Sequence, residues 1–294
     1  MRVMVTGASG QLGKCLQGVL AGSGHEVIAV GHKELDITDR AAVDRFVDVK
    51  KPDIIINAAA YTAVDRAEEE AELAFQVNAQ AVGNLADASN AAGAILIHVS
   101  TDYVFDGSSR TPYKETDSVN PMGTYGESKL AGEREAGRAQ RHIIVRTAWV
   151  FSEYGNNFLK TMVKLGRERE SLSIVDDQIG TPTYAGDLAS ALVSLGLDQP
   201  ANGVYHFSGG DSCSWYEFAS AIFATCAEVS NKFSEPAIMA IPSSEYPTPA
   251  KRPEYSVLDG SFLASRAGIM AGNWRACLKD VCTKVLAELD VSKA

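Results

Sequence analysis

Val3-Met4-Val5-Thr6-Gly7-Ala8-Ser9-Gly10-Gln11-Leu12-Gly13 is an apolar run that passes without a spacer into three glycines at three-residue intervals. The run reads as a buried strand, and Gln11 to Ala21 behind it has helical periodicity. Strand, glycine turn and helix in immediate succession present backbone amides at a helix N-terminus, where an anion can approach them. A dinucleotide pyrophosphate suits this geometry. Gly7, Gly10 and Gly13 give the tight turn and the close approach, and Gln11 and Leu12 stand in the helical turn beside them.

The same rhythm continues outward. Glu26 to Val30, Asp53 to Asn57, Ala94 to Ser100 and His142 to Thr147 read as further strands, separated by helical stretches near Asp39 to Lys50, Ala67 to Ala92 and Tyr125 to Ala139. Strands alternating with helices predict right-handed crossovers and a doubly wound parallel sheet, a Rossmann-type α/β fold. After about residue 150 the rhythm loosens. Gly155-Asn156-Asn157 and Asp176-Asp177-Gln178 read as loops, Val204 to Phe207 as a strand, and Ser214 with Glu217 as a capping box opening a helix to about Cys226. Pro242 to Pro253 reads as a long ordered loop. The expected division is a dinucleotide-binding domain over 1–150 and a smaller, mainly substrate-binding domain over 151–294, with segments returning to the sheet.

Composition narrows the function. The chain has 294 residues, 46% hydrophobic and 22% charged, ordinary values for a globular protein with a full core. Its 27 Lys+Arg against 37 Asp+Glu give a formal net charge of -10, with no basic block to track a phosphate backbone, so nucleic acid is not an expected partner. No apolar run reaches the roughly 18 to 20 residues of a membrane span and no leader precedes the first strand, so a cytoplasmic, soluble protein is expected. Five cysteines without a C-x-x-C pair read as reduced structural thiols, and five scattered histidines give no metal-ligand spacing.

The end of the second strand bears on which dinucleotide is bound. Val30 is followed by Gly31-His32-Lys33 without a carboxylate at that spot, so Lys33 and His32 point to a 2'-phosphate and thus to NADPH, with NADH also open. Asp36 either approaches the adenine edge or caps the following helix with Asp39. Farther on, Tyr125-Gly126-Glu127-Ser128-Lys129 opens a helix, and the four-residue spacing sets Tyr125 and Lys129 on one face. A phenol with a reference pKa of about 10 becomes a better proton-transfer group beside an ammonium, so Lys129 is expected to lower the pKa of Tyr125. Thr101, just past a strand end, would hold a carbonyl oxygen in line with Tyr125.

With the glycine turn, Thr101 and Tyr125-x-x-x-Lys129 together, and with Asn57-Ala58-Ala59-Ala60 and Val77-Asn78 in keeping, the chain resembles the extended short-chain dehydrogenases/reductases. That resemblance implies that Ala58, Ala59 and Ala60 line the cofactor, that Lys129 also holds the nicotinamide ribose, and that Asn78 supports the active end of the sheet. Ser100-Thr101-Asp102-Tyr103-Val104-Phe105, Arg146-Thr147-Ala148-Trp149-Val150, Gly155-Asn156-Asn157-Phe158, Gly180-Thr181-Pro182-Thr183 and Tyr246 to Pro253 narrow it further. They are similar to the branch that reduces the C4 keto group of a dTDP-linked 4-keto-6-deoxysugar in dTDP-L-rhamnose synthesis. A single carboxylate, Asp102, follows Thr101, where the sugar dehydratases carry an acid pair.

The expected substrate contacts are Thr101, Asp102, Tyr103, Val104 and Trp149 around the sugar. Asn156 and Asn157 would bond its hydroxyls or the diphosphate, and Arg252 would meet a phosphate. Trp215 and Tyr216 are read as packing residues. Some relatives dimerise around Mg²⁺ held by glutamates, one of them on the first helix, where this chain reads Lys14-Cys15-Leu16; Mg²⁺ therefore stays a family implication without identifiable ligands. Monomer and homodimer are both open. So are reduction of a different 4-keto nucleotide sugar, and a silent regulatory role like that of the partner of methionine adenosyltransferase.

Overall fold

The computed structural model describes residues 1–291. Strands and helices alternate through the first half: β1 (Arg2–Thr6), α1 (Gln11–Leu20), β2 (Glu26–Val30), α2 (Arg40–Lys50), β3 (Ile54–Asn57), α3 (Val64–Ala67), α4 (Ala71–Phe75), α5 (Ala81–Ala92), β4 (Ile95–Thr101), α6 (Thr124–Ala136) and β5 (His142–Thr147). The strands pair in parallel in the order β2-β1-β3-β4-β5. The chain leaves β1 to one side for β2 and returns on the other for β3, so a crevice opens beyond the carboxyl end of β1.

Both faces of the sheet are covered, which is why its strands read as continuous apolar runs. Val3, Val5, Ile54, Ile56, Ile95, Ile97, Ile143 and Val145 pack on one side against Leu12 and Leu16 of α1. Their neighbours Met4, Ile55, Leu96 and Ile144 face Val43 and Val47 of α2 and Val82 and Leu85 of α5. The helix expected over residues 67–92 is interrupted. A turn separates α3 from α4, and a π-helical turn, Gln76–Gln80, joins α4 to α5. That turn carries the buried Asn78, which donates to Ser128 on α6 at 3.0 Å and exchanges hydrogen bonds with the backbone of Tyr61. Periodicity arguments see apolar spacing and are blind to such a polar reason for breaking a helix.

The second half comprises β6 (Val150–Phe151), α7 (Phe158–Glu168), β7 (Ser171–Val175), β8 (Ile179–Gly180), β9 (Thr183–Tyr184), α8 (Ala185–Asp198), β10 (Gly203–His206), β11 (Cys213–Ser214), α9 (Trp215–Val229), β12 (Ala237–Ile241), α10 (Ser261–Ala267) and α11 (Trp274–Val291). β10 joins the edge of β5 as a sixth parallel strand, and Leu188, Leu192 and Leu195 of α8 enter the same core as α1. A separate core unites Leu159, Phe218, Ile222, Phe223, Val281 and Leu286 from α7, α9 and α11. Ser214 and Glu217 form the expected capping box, and α9 runs three residues beyond Cys226 before ending. The proline segment has no strand and one short 3₁₀ turn, Ser243–Glu245, and is tied down where the Ala250 amide donates to Asp65 at 3.2 Å. Among the described residues, no helix is long and apolar enough to cross a membrane.

Candidate active site

A cavity of about 1260 Å³ lies beyond the carboxyl ends of β1, β3, β4 and β5 and reaches under the proline segment. Its floor starts at the glycine turn. Gly7 sits at φ +65°, and a Cβ there would come within 2.6 Å of the Ala59 amide nitrogen; a Cβ on Gly13 would lie 2.2 Å from the Gly7 carbonyl oxygen. These two glycines therefore shape the turn and do not line the cavity, whereas Gly10, Gln11 and Leu12 do. Gly10 is the N-cap of α1 and brings no side-chain acceptor, which leaves the first-turn amides for an anion. Ala58, Ala59 and Ala60 continue the floor after β3.

Lys33, expected at the 2'-phosphate, and His32 are exposed beyond β2, outside the cavity lining. Asp36 accepts from the amide and hydroxyl of Thr38 in a local turn and stands 3.9 Å from His32, while Asp39 caps α2 by accepting from the Ala42 amide. The expectation that no carboxylate stands at the end of β2 is corrected. Glu34 folds back to accept from the Gly31 amide at 2.9 Å, and a Cβ on Gly31 would meet both Glu34 and Ser9 of the glycine turn. A turn returned the acid to a spot that chain order had assigned to Gly31.

Thr101, Tyr125 and Lys129 all line the cavity. Tyr103 meets Tyr125 edge to face, with centroids 5.6 Å apart. The phenol of Tyr125 does not follow the expected direction. Burial pushes it up to about 12, against the opposing hydroxyl of Thr101, so Tyr125 is a neutral proton carrier. Lys129 does not offset this. Its ammonium donates to the Val99 carbonyl at 2.6 Å, and burial pulls its pKa down to about 8, opposed by Glu133 one turn further along α6. Glu133 in turn accepts two hydrogen bonds from Arg146, both at 2.8 Å, and one from Ser100 at 2.6 Å, a fully buried assembly behind the cavity wall.

Asp102, only 2% exposed, also lines the cavity, and burial pushes its carboxyl up to about 6, tempered by the hydroxyls of Ser256 and Thr101. Val104, expected at the sugar, is fully buried in a small core with Phe105, Tyr113 and Ala148, because the 3₁₀ turn Asp102–Val104 carries it away from the cavity. Asn157 borders the cavity, but its amide is spent on structure: it caps α7 by accepting from Lys160 and donates to Gln11 and to the carbonyls of Ser152 and Tyr154. Asn156 is exposed at the rim. Arg252 reaches the cavity with its guanidinium already bonded to Asp65 at 2.8 Å.

The aromatic wall combines one expected and one unexpected residue. Trp149 lines the cavity from φ +45°, a conformation that costs a non-glycine residue of order 1–3 kcal/mol and that the surroundings must hold. They do so by stacking: Trp215 lies 3.4 Å away, nearly parallel, and the indole edge rests on Gly180. Trp215 thus borders the cavity as well as packing, and its Nε1 donates to Gln178 at 3.1 Å. Its position directly after the capping-box serine was the available signal, since the first residue of a helix can face outward from the core. Among the described residues, no group of three or more His, Cys, Asp or Glu is arranged to hold a metal ion.

A parallel sheet with a glycine turn and a Thr, Tyr and Lys converging beyond its carboxyl edge is the architecture of the extended short-chain dehydrogenases/reductases. Within that class the chain belongs to the RmlD substrate binding domain family, whose model matches residues 1–287. It is 45% identical over 287 residues to a dTDP-4-dehydrorhamnose reductase of Aggregatibacter actinomycetemcomitans, covering 95% of this chain and 98% of that one. A crystal structure of a dTDP-4-dehydrorhamnose reductase from Clostridium acetobutylicum superposes with a TM-score of 0.91 at 40% identity, over the full length of both chains. A second, from Bacillus anthracis in complex with NADP, gives 0.90 at 40% identity over 95% of this chain and 98% of that one.

Proposed function

We propose that this protein reduces the C4 keto group of dTDP-4-dehydro-6-deoxy-L-mannose with NADPH, giving dTDP-L-rhamnose. The observation that carries the reading is the convergence of Thr101, Tyr125 and Lys129 on a cavity that begins at the uncapped N-terminus of α1. The residues present fit a dinucleotide. The turn at Gly10 to Leu12 suits its pyrophosphate, Ala58 to Ala60 give a flat apolar floor, and Lys129 suits the nicotinamide ribose hydroxyls. Lys33 supplies the cation for a 2'-phosphate and Glu34 an acceptor for a 2'-hydroxyl, so NADPH is the main cofactor and NADH a usable one.

When bound, the reduced nicotinamide supplies hydride. Tyr125 and Thr101 hold the carbonyl oxygen between two hydroxyls. Tyr125 delivers its proton as charge develops on that oxygen, a role served by a phenol that stays neutral across the physiological range. Tyr103 and the Trp149 and Trp215 stack wall the sugar, while Asn156 and Arg252 meet its hydroxyls and the diphosphate. We assign residues 1–150 mainly to the dinucleotide and 151–294 mainly to the nucleotide sugar. NADPH consumption on addition of enzymatically prepared keto-sugar, with the product identified by NMR, tests the reading. Absence of turnover with any 4-keto sugar, alongside tight NADP binding, would overturn it.

A further inference from the structure

The hydroxyl of Thr101 carries one proton, and in this structure that proton is committed. Thr101 donates to Oδ1 of Asp102 at 3.1 Å and accepts from the Tyr103 amide at 3.2 Å. A hydroxyl bound this way has nothing to donate to a substrate carbonyl. The other oxygen of Asp102, Oδ2, is buried and meets no hydrogen-bond partner in good geometry among the described residues. Among the described residues, no cation compensates the carboxyl. Arg252, on the far side of Tyr103, is paired with Asp65; Lys129 of α6 is bound to the Val99 carbonyl; and Arg146 of β5 is held by Glu133. The remaining groups facing it, Tyr103, Tyr125 and Ser256, are neutral hydroxyls. A buried carboxylate met only by neutral donors, chiefly the hydroxyls of Ser256 and Thr101, with no cation beside it, is costly, so protonation is the natural relief.

We propose that Asp102 is a positioning residue that works in its acid form, turning the Thr101 hydroxyl toward the substrate and returning a proton to Tyr125 after reduction. This deepens the reductase reading given above and rests on it. Protonated Asp102 donates to Thr101 and so reverses their hydrogen bond, and the freed Thr101 proton then points at the C4 oxygen beside that of Tyr125. As hydride adds to C4, the electron pair of the carbonyl π bond moves to oxygen, which takes the Tyr125 proton. Once the C4 oxygen is protonated, the Thr101 hydroxyl turns from it to the phenolate, gives up its proton there and takes one from Asp102. Asp102 is left as the carboxylate and regains its proton from water after product release. The net consumption of one hydride and one proton balances the conversion of ketone to alcohol.

The test uses the full chain and two readouts. With NADPH and the keto-sugar saturating, wild-type kcat should fall about tenfold per pH unit above the Asp102 pKa of about 6, while Asp102→Asn, which holds an amide donor on Thr101 at every pH, should be flat over the same range. The second readout needs no turnover: NMR of ¹³Cγ-aspartate in the intact wild-type protein should contain one carboxyl titrating well above the ordinary aspartate range of about 4, and Asp102→Asn should remove it. A wild-type spectrum without such a carboxyl overturns the assignment even if the variant fails to fold. An Asp102→Asn profile that keeps the wild-type slope at a lower rate reduces Asp102 to a structural part and also overturns it. No wild-type turnover at any pH would instead strike the reductase reading itself.

Discussion

The two walls of the cavity are built on different principles. The wall formed by β4 and α6 is polar and held from behind: Asn78 fixes Ser128, and Arg146 and Ser100 fix Glu133, which faces Lys129. The opposite wall is aromatic and held by stacking, with Trp149 in a left-handed backbone conformation kept there by Trp215 and Gly180. The first wall should govern the chemical step and the second the grip on the sugar nucleotide. Substitutions that move both quantities together, on either wall, would break that division.

The largest effect is expected at Tyr125. Tyr125→Phe removes the proton donor and keeps the ring against Tyr103, so kcat should fall by roughly 10²–10⁴ while NADP affinity, measured by titration calorimetry, stays within about threefold. Behind it, Glu133→Gln leaves the buried Arg146 guanidinium without its anion. Thermal and denaturant unfolding should register a loss of about 3–5 kcal/mol.

Lys129 adds a pH signature. Its pKa in the folded chain, about 8, lies below the ordinary 10.5, so between these values the unfolded chain binds the extra proton and the folded chain does not. Its burial therefore opposes folding most fully below about pH 8, and that penalty fades as pH rises toward 10.5. In Lys129→Met, unfolding should lose this rise in stability over that window, and both cofactor affinity and turnover should drop.

On the aromatic wall, Trp215→Ala should raise KM for the nucleotide sugar about 2- to 12-fold, the worth of one aromatic pair of about 0.5–1.5 kcal/mol, with kcat near wild type. The smallest change is expected at the remote end of the dinucleotide. Glu34→Gln should shift the ratio of kcat/KM values a few-fold toward NADPH, and Lys33→Ala a few-fold toward NADH, both measured by cofactor competition.

What the sequence disclosed divides along the same line. The glycine turn, the strand ends and the four-residue spacing of Tyr125 and Lys129 are local, and local chemistry reads directly from residue order. Hence Gly10, Thr101, Tyr125 and Lys129 are found where the spacing puts them, beside one cavity. Legibility failed where a turn or a distant partner decides the outcome. Val104 is one residue from a cavity-lining tyrosine, but a 3₁₀ turn sends it into the core. Glu34 is three residues past a glycine whose amide it folds back to bind. Arg252 meets Asp65, and Trp149 meets Trp215, across 187 and 66 positions of chain, separations no periodicity spans. The pKa of Tyr125 went the other way for a related reason: spacing brings an ammonium to the same helix face but says nothing of the Val99 carbonyl that holds it or of the depth of burial.

The most direct test is a crystal structure of this protein with NADP⁺ bound. The predicted result is a pyrophosphate over the Gly10 to Leu12 turn, the Lys129 ammonium within hydrogen-bond reach of the nicotinamide ribose hydroxyls, and the Tyr125 hydroxyl beside the nicotinamide face. A dinucleotide seated elsewhere, or Lys129 and Tyr125 turned away from its nicotinamide end, would contradict it.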